Sequence, residues 1–147
     1  MSMDFEHMDE VQKDHLHLAA QDGKLDEVKR LVHDGFPVSR FDDIGKTPLH
    51  YAVENGHLDV ARFLIGAGAD VNAHDETKIG NTPLRDIAGT CSLPTAKFLL
   101  EAGADPAIKG WMQLSAIDLA SRRKSGDGPA IHRLLTEHKY VDRFRPR

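Results

Sequence analysis

The sequence predicts an all-α fold, a solenoid of about four helix-turn-helix units stacked side by side. The first observation is that the segment TPL at residue 47 returns as TPL at residue 82, a step of 35 residues. The second is that each copy starts with a residue able to cap a helix and continues with apolar residues at helical spacing. The third is that one similar helix start lies before these two copies and another lies after them, at nearly the same spacing, as expected for a repeat architecture.

The four units start at Asp14, Thr47, Thr82 and Ser115, separated by 33, 35 and 33 residues. A side-chain oxygen at such a position accepts a hydrogen bond from an unpaired amide in the first helical turn. Proline follows both threonines at the first helical position, where its missing N–H costs nothing. Ser115 and Asp118 have the spacing of a capping box. We therefore expect a helix to begin at each start.

A second helix is predicted after the first one in each unit. In unit two, the Asn55-Gly56 pair breaks the first helix, and apolar residues at helical spacing resume at residues 58–65. Gly68 is expected to stop this second helix in the left-handed conformation, and Gly103 does the same in unit three. Two short helices cannot bury their apolar faces alone, so the units must stack into one core.

The outer units depart from the inner pattern. Unit one has Asp14-His15 in place of Thr-Pro, and unit four carries about three extra residues around SRRKSGDGP. Terminal repeats need a polar outer face, so these departures are typical of caps. We expect residues 1–13 to be an N-terminal extension or cap, residues 14–138 to be the repeat domain, and residues 139–147 to be a basic tail.

The segment TPLHYAVENGHLDVARFLIGAGADVNA, residues 47–73, resembles the ankyrin-repeat signature over its full length, and unit three matches most of it. The resemblance covers roughly residues 14–138 and identifies the chain as an ankyrin-repeat solenoid. It implies that the loops project as β-hairpin fingers, which line a concave face together with the first helices. It also implies a non-catalytic module that binds another protein.

Transferred position by position, the resemblance predicts these partner-binding residues: Phe41, Asp43, Ile44, Lys46, Glu54, His74, Glu76, Lys78, Ile79, Asn81, Arg85, Asp86, Lys109, Trp111, Met112 and Leu114. Aromatic residues, methionine and arginine are favoured anchors of protein interfaces. Two alternatives stay open here. Ile44 and Ile79 could instead pack against the neighbouring finger, and Trp111 could be an intramolecular lid.

Composition excludes several other functions. From residue 122 onward there are 8 Lys/Arg against 3 Asp/Glu, whereas residues 1–121 hold 11 against 20, a net charge of −9. Because a nucleic-acid-binding body would be basic, we expect no nucleic-acid partner. The chain has no apolar run near the ~18 residues of a membrane span and no secretory signal pattern. Its single cysteine fits a reducing compartment, so we expect a cytoplasmic protein.

No pattern of catalytic or metal-binding residues is present, so we expect no enzyme activity, metal or cofactor. His15 and His17 point in different directions on a helix and cannot share a metal ion. The resemblance gives His50 and His57 structural roles, with His50 bonded to the Thr47 hydroxyl. Cys91 lacks a nearby base in its turn. The glycines near residue 66 end a helix rather than open one around a phosphate.

A narrower resemblance concerns the segment from residue 91 to residue 138, with its GWM finger and RK-rich terminal loop. It is similar to a group of small stand-alone bacterial ankyrin proteins that includes candidate immunity proteins, which neutralise a toxin by occluding it. An acidic body would speed association with a basic toxin. The alternative is a regulatory or scaffold adaptor that binds another cellular protein. In either case we expect a monomer when the protein is free.

Overall fold

The computed structural model describes the backbone of residues 5–143 and the side chains of residues 5–138. This part of the chain is all-helical and contains no β-strand. Its α-helices are α1 (Glu10–Lys13), α2 (His15–Asp22), α3 (Leu25–His33), α4 (Pro48–Glu54), α5 (Leu58–Gly66), α6 (Pro83–Ile87), α7 (Leu93–Glu101), α8 (Ala116–Ser121) and α9 (Gly128–Arg143). Two short 3-10 helices span Phe5–His7 and Trp111–Gln113.

Helices begin directly after Thr47, Thr82 and Ser115, as predicted. Thr82 Oγ1 accepts the N–H of Arg85 at 3.1 Å at the start of α6. Ser115 forms a capping box with Asp118, in which Ser115 N–H donates to Asp118 Oδ2 at 2.8 Å and Asp118 N–H donates to Ser115 Oγ at 3.2 Å. Helix α4 begins after Thr47, as the threonine-proline pair predicts. Each start satisfies amides that the helix itself leaves unpaired.

Helix α2 also begins directly after Asp14, as predicted, but the side-chain cap expected there does not form. Helix α1 leads almost directly into α2, and the Asp14 side chain accepts no amide of the first turn. Its carboxylate instead accepts a hydrogen bond from Arg40 Nη1 at 2.6 Å, across 26 residues of sequence. The capping box is found one helix earlier, where Asp9 and Gln12 exchange bonds at the start of α1. A capped helix therefore precedes the helix that begins after Asp14.

The helices form two rows. The first helices of the units, α2, α4, α6 and α8, contact one another in chain order, while α3 packs against α5 and α7 against α9. One continuous apolar core lies between the rows, with fully buried leucines at residues 16, 49, 64, 84, 99 and 135. Burying such a side chain stabilises the fold by about 1.5–3 kcal/mol. Stacking therefore supplies the core that no single pair could form.

The two ends of the array are covered by polar-faced helices. Phe5 packs its ring edge-on against Phe36, with the ring centroids 5.5 Å apart, so the segment before Asp14 covers the first unit. At the other end, α9 continues through residues 139–143, where the sequence predicts a basic tail. Residues 1–4 and 144–147 lie outside the described residues. None of the described helices is long and apolar enough to cross a membrane.

The loops between units are tight turns. Asp42 N–H donates to Lys46 O at 2.8 Å in the first loop, and Gly110 N–H donates to Leu114 O at 3.0 Å in the third. A β-ladder needs a series of such pairs. The β-hairpin form expected for the fingers is therefore not confirmed in the described part of the chain. Gly68, at φ 101°, ends the preceding helix in the left-handed conformation, as predicted.

Candidate functional site

Three loops project from the same side of the helix rows. We call them the first finger (residues 39–46), the second finger (residues 72–81) and the third finger (residues 106–114), and together they form the finger face. Adjacent fingers lie close together. A Cβ atom added at Gly110 would stand 2.2 Å from Asn81 Oδ1, so only glycine allows the third finger to approach the second this closely.

A side chain at the fourth position of each of the first three units donates a hydrogen bond to the next finger. The donors are His17 Nε2, His50 Nε2 and Arg85 Nε. The acceptors are the carbonyl oxygens of Lys46 at 3.2 Å, Asn81 at 2.6 Å and Leu114 at 3.1 Å, and His17 Nε2 also lies 2.8 Å from Arg40 O in the first finger. Each acceptor immediately precedes the start of the following unit. These bonds set the position of every finger relative to the helix before it.

His50 is a neutral, fully buried imidazole. Its Nδ1 accepts the N–H of Thr47 at 3.0 Å and lies 2.9 Å from Thr47 Oγ1, which confirms the structural role expected for this histidine. Because Nδ1 accepts, the proton resides on Nε2, which donates to Asn81 O. Burial lowers the pKa of His50 from 6.5 to about 4, although the bond to Asn81 opposes this change. A neutral ring thus fastens the second finger.

Arg85 anchors the third finger. Its side chain is buried, and the guanidinium donates to Leu114 O from Nε and to Trp111 O from Nη2, the latter at 2.9 Å. Burial lowers the pKa of Arg85, while the neighbouring carboxylate of Asp86 opposes this change. Asn81 Oδ1 also accepts the N–H of Trp111 at 2.8 Å. The base of the third finger is therefore fixed by charged and amide groups of the preceding unit and finger.

The tip of the third finger is exposed and strained. Trp111 is 58% exposed and Met112 is 72% exposed. Met112 and Gln113 both have a φ of 59°, in the left-handed region that non-glycine residues avoid. Such a conformation costs about 1–2 kcal/mol per residue. The bonds at the base of the finger hold this conformation and present the two large side chains outward.

Replacing Gln113 by glycine is expected to stabilise the protein by about 0.5–1 kcal/mol. Glycine removes the left-handed strain, and part of that gain is offset by its greater freedom in the unfolded chain. Urea unfolding of the two proteins, compared by their free energies in water, measures the difference. The same change at Gln21, inside helix α2, is the matched control and should destabilise by about 1 kcal/mol. A Gln113→Gly variant less stable than the unmodified protein would contradict the conclusion that the backbone is strained at Gln113.

A polar cluster joins the bases of the first two fingers. Lys46 Nζ lies 2.5 Å from Glu54 Oε1 and 3.9 Å from Asp86 Oδ2, and Asn81 Nδ2 donates to Asp86 Oδ1 at 2.8 Å. Burial raises the pKa of Glu54, and the nearby Asp86 raises it further, whereas Lys46 lowers it. The cluster keeps two carboxylates and one ammonium group at the foot of the finger face.

Asp42 and Tyr51 belong to the site, although no sequence pattern singles them out. The Tyr51 hydroxyl donates to Asp42 Oδ2, and Asp42 Oδ1 accepts the N–H groups of Ile44 and Lys46. Burial alone would raise the pKa of Asp42, but these hydrogen bonds lower it overall. The aspartate closes the turn of the first finger. An aspartate two residues before the loop tip is the local signal that could have revealed this role.

The structure divides the sixteen predicted contact residues by exposure. The exposed ones are Asp43, Ile44, Glu54, Glu76, Lys78, Ile79, Lys109, Trp111 and Met112; the half-buried ones are Phe41, Lys46, His74, Asn81, Asp86 and Leu114; and Arg85 is buried. Ile44 is 46% exposed and Ile79 is 39% exposed, so packing between neighbouring fingers does not bury them. Arg85 positions a finger, whereas partner contact by the exposed residues stays a prediction.

Two further observations concern the Cys91 thiol and the side chains that could hold a metal ion. Burial raises the pKa of the Cys91 thiol, and the guanidinium of Arg123 only partly offsets this. A raised pKa disfavours the nucleophilic thiolate. Within the described residues, no three His, Cys, Asp or Glu side chains are grouped so as to hold a metal ion.

Comparison with protein families gives a match over residues 2–75, half of the chain. The matching family model describes ankyrin repeats, in three copies. No curated protein matches the chain.

Proposed function

The chain belongs to the ankyrin-repeat family, whose members are protein–protein interaction modules, and from this premise we propose that it binds one protein partner through the finger face and blocks that partner sterically. This is the mode of action of an immunity protein, which occludes the toxin that it neutralises. The observation that carries the proposal is the third finger, where Trp111 and Met112 are exposed on a loop that Arg85 holds in place.

Rigidity supports binding through this surface. A preformed surface loses little conformational entropy when a partner docks, so a larger share of the contact energy appears as affinity. The donors His17, His50 and Arg85 fix the fingers before any partner arrives. Exposed tryptophan and methionine side chains are typical anchors at the centre of protein interfaces. We expect the free protein to be a cytoplasmic monomer that presents this surface to one partner.

Replacing Trp111 by alanine is expected to weaken partner binding by about 2 kcal/mol, roughly 30-fold in Kd, because a central anchor loses its contact area. The measurement is capture of the partner from extracts of the source organism, followed by titration with the isolated partner. Val11, which is 71% exposed in helix α1 and belongs to none of the three fingers, supplies the control variant Val11→Ala. That variant should bind as the unmodified protein does.

The activity of the captured partner then separates occlusion from an adaptor role. Loss of the partner's activity in a one-to-one complex supports occlusion. Unchanged activity supports the adaptor role, in which the finger face binds the partner without blocking it. If Trp111→Ala and Val11→Ala bind the partner equally well, the finger face is not the binding surface and the proposal fails.

A further inference from the structure

A groove separates the tips of the second and third fingers. Its volume is about 580 Å³. Apolar side chains on both walls line it, Ile79 from the second finger and Trp111 and Met112 from the third. Lys78 and Lys109 stand one on each wall. A space of this volume can accept two or three side chains of an extended chain.

Part of the groove lining is apolar and exposed, beside polar side chains that line the rest. Trp111, Met112 and Ile79 are 58%, 72% and 39% exposed, and they come together from two separate loops. Isolated exposed apolar residues are ordinary, but a cluster within a concave surface marks a binding site. The third finger is fixed at its base, so the groove exists before a ligand enters. Its apolar part therefore selects an aliphatic or aromatic side chain.

The two ammonium groups at the groove lack a direct ion pair within the described side chains, although an aspartate lies near each of them. Lys78 interacts through space with Asp75 and Lys109 with Asp118, but neither forms an ion pair among the side chains that the structure describes. The only carboxylate on the lining is that of Glu76, whose Oε1 lies 3.6 Å from His74 Nε2. The lining therefore carries two lysines against one glutamate.

The side chains that line the groove carry more positive than negative charge, whereas residues 1–121 as a whole are acidic. Charges separated by more than about 8 Å are largely screened at physiological salt, so a docked segment responds mainly to the charged groups nearest to it. A basic segment would meet two like charges there. A nucleic-acid strand would bring many phosphates, and two lysines compensate few of them.

We propose that the groove binds an extended protein segment in which carboxylate side chains flank an aliphatic or aromatic one. The apolar side chain lies against Trp111 and Met112, and the carboxylates face Lys78 and Lys109. This inference rests on the proposed function, because it specifies the chemistry of the partner segment at the same finger face. The proposal makes the segment of the partner that enters the groove acidic. The net negative charge of residues 1–121, by contrast, favours a basic partner such as a basic toxin.

Trp111 is the single tryptophan of the chain, so its fluorescence reports on the groove directly. The probes are two synthetic peptides, acetyl-Glu-Leu-Glu-amide and acetyl-Lys-Leu-Lys-amide, titrated separately into the full-length protein. We expect a saturable change of emission with the acidic peptide, with a Kd in the millimolar range typical of so small a ligand. The basic peptide should bind about tenfold more weakly, and added salt should reduce the difference.

Charge reversal provides the decisive comparison. A Lys78→Glu/Lys109→Glu variant should prefer the basic peptide. The control is Lys97→Glu/Lys124→Glu, which changes the net charge equally at two exposed lysines outside the groove and should keep the preference for the acidic peptide. Surface substitutions of this kind rarely alter stability by more than about 0.5 kcal/mol, so all three proteins should be folded.

The inference is overturned if neither peptide gives a saturable change, if the unmodified protein prefers the basic peptide, or if both double variants reverse the preference. Tighter binding of oligodeoxythymidylate than of the acidic peptide would likewise overturn it. These outcomes are independent of the capture experiment. If partner capture depends on Trp111 while the acidic peptide is not preferred, the proposed function stands and only the chemistry assigned to the groove fails.

Discussion

Lowering the pH from 6.5 to 4 is expected to reduce the free energy of unfolding by about 3 kcal/mol more in the unmodified protein than in a His50→Gln variant. The imidazole has an ordinary pKa of 6.5 when unfolded and a pKa of about 4 when folded, so only the unfolded chain takes up a proton within this window. A tenfold difference in proton affinity corresponds to about 1.4 kcal/mol. The stabilisation is complete above pH 6.5 and is lost as the pH falls towards 4.

Urea unfolding of both proteins at several pH values in this window measures the effect. Contributions from carboxylates occur in both proteins and largely cancel in the difference between the two curves. His17, whose pKa is also lowered by burial, acts in the same direction and cancels likewise. If the free energy of unfolding falls equally with pH in both proteins, the His50 ring is hydrated or protonated in the folded protein. Nuclear magnetic resonance of the ring in the folded state gives the same pKa independently.

Replacing Arg85 by alanine is expected to destabilise the protein by about 2–3 kcal/mol. Hydrogen bonds from a charged donor contribute about 1.5–3 kcal/mol, and this change removes the donor from both Leu114 O and Trp111 O. The third finger should then loosen, and the emission of Trp111 should move towards that of a fully hydrated indole. Urea unfolding followed by fluorescence measures stability and finger geometry together.

Arg85→His is the informative companion variant, since histidine stands at the same position in units one and two. A histidine should keep the bond to Leu114 O but cannot also reach Trp111 O, so we expect roughly half of the destabilisation seen with alanine. A loss smaller than about 0.5 kcal/mol for Arg85→Ala would mean that the finger is held without this guanidinium.

The fold is predictable from the sequence where the signals are local. Helices start at Thr47, Thr82 and Ser115 because capping groups there act within three residues of sequence. Helix α5 ends before Gly68 because glycine readily adopts the left-handed conformation. A helix also starts after Asp14 as predicted, but without a side-chain cap, because this carboxylate accepts a hydrogen bond from Arg40 across 26 residues of sequence. The local capping box lies one helix earlier, at Asp9.

The site is harder to predict because its decisive contacts join residues about 30 positions apart. Charged side chains are seldom buried, so the sequence places Arg85 on the surface. Its acceptor, Leu114 O, lies 29 residues away, and only the alignment of Arg85 with His50 points to that role. The left-handed conformation of Gln113 has no signal at all, because neither that residue nor Met112 is a glycine or an asparagine.

The direction of the bonds between units has a consequence for biosynthesis. His17, His50 and Arg85 each donate to a carbonyl that is synthesised later than the donor, so His50 leaves the ribosome 31 residues before Asn81 does. At ordinary rates of translation this interval is about 2 to 6 seconds, far longer than a helix needs to form. During this interval the imidazole lacks its acceptor on the second finger. Each bond between units can therefore form only after the later finger has been synthesised.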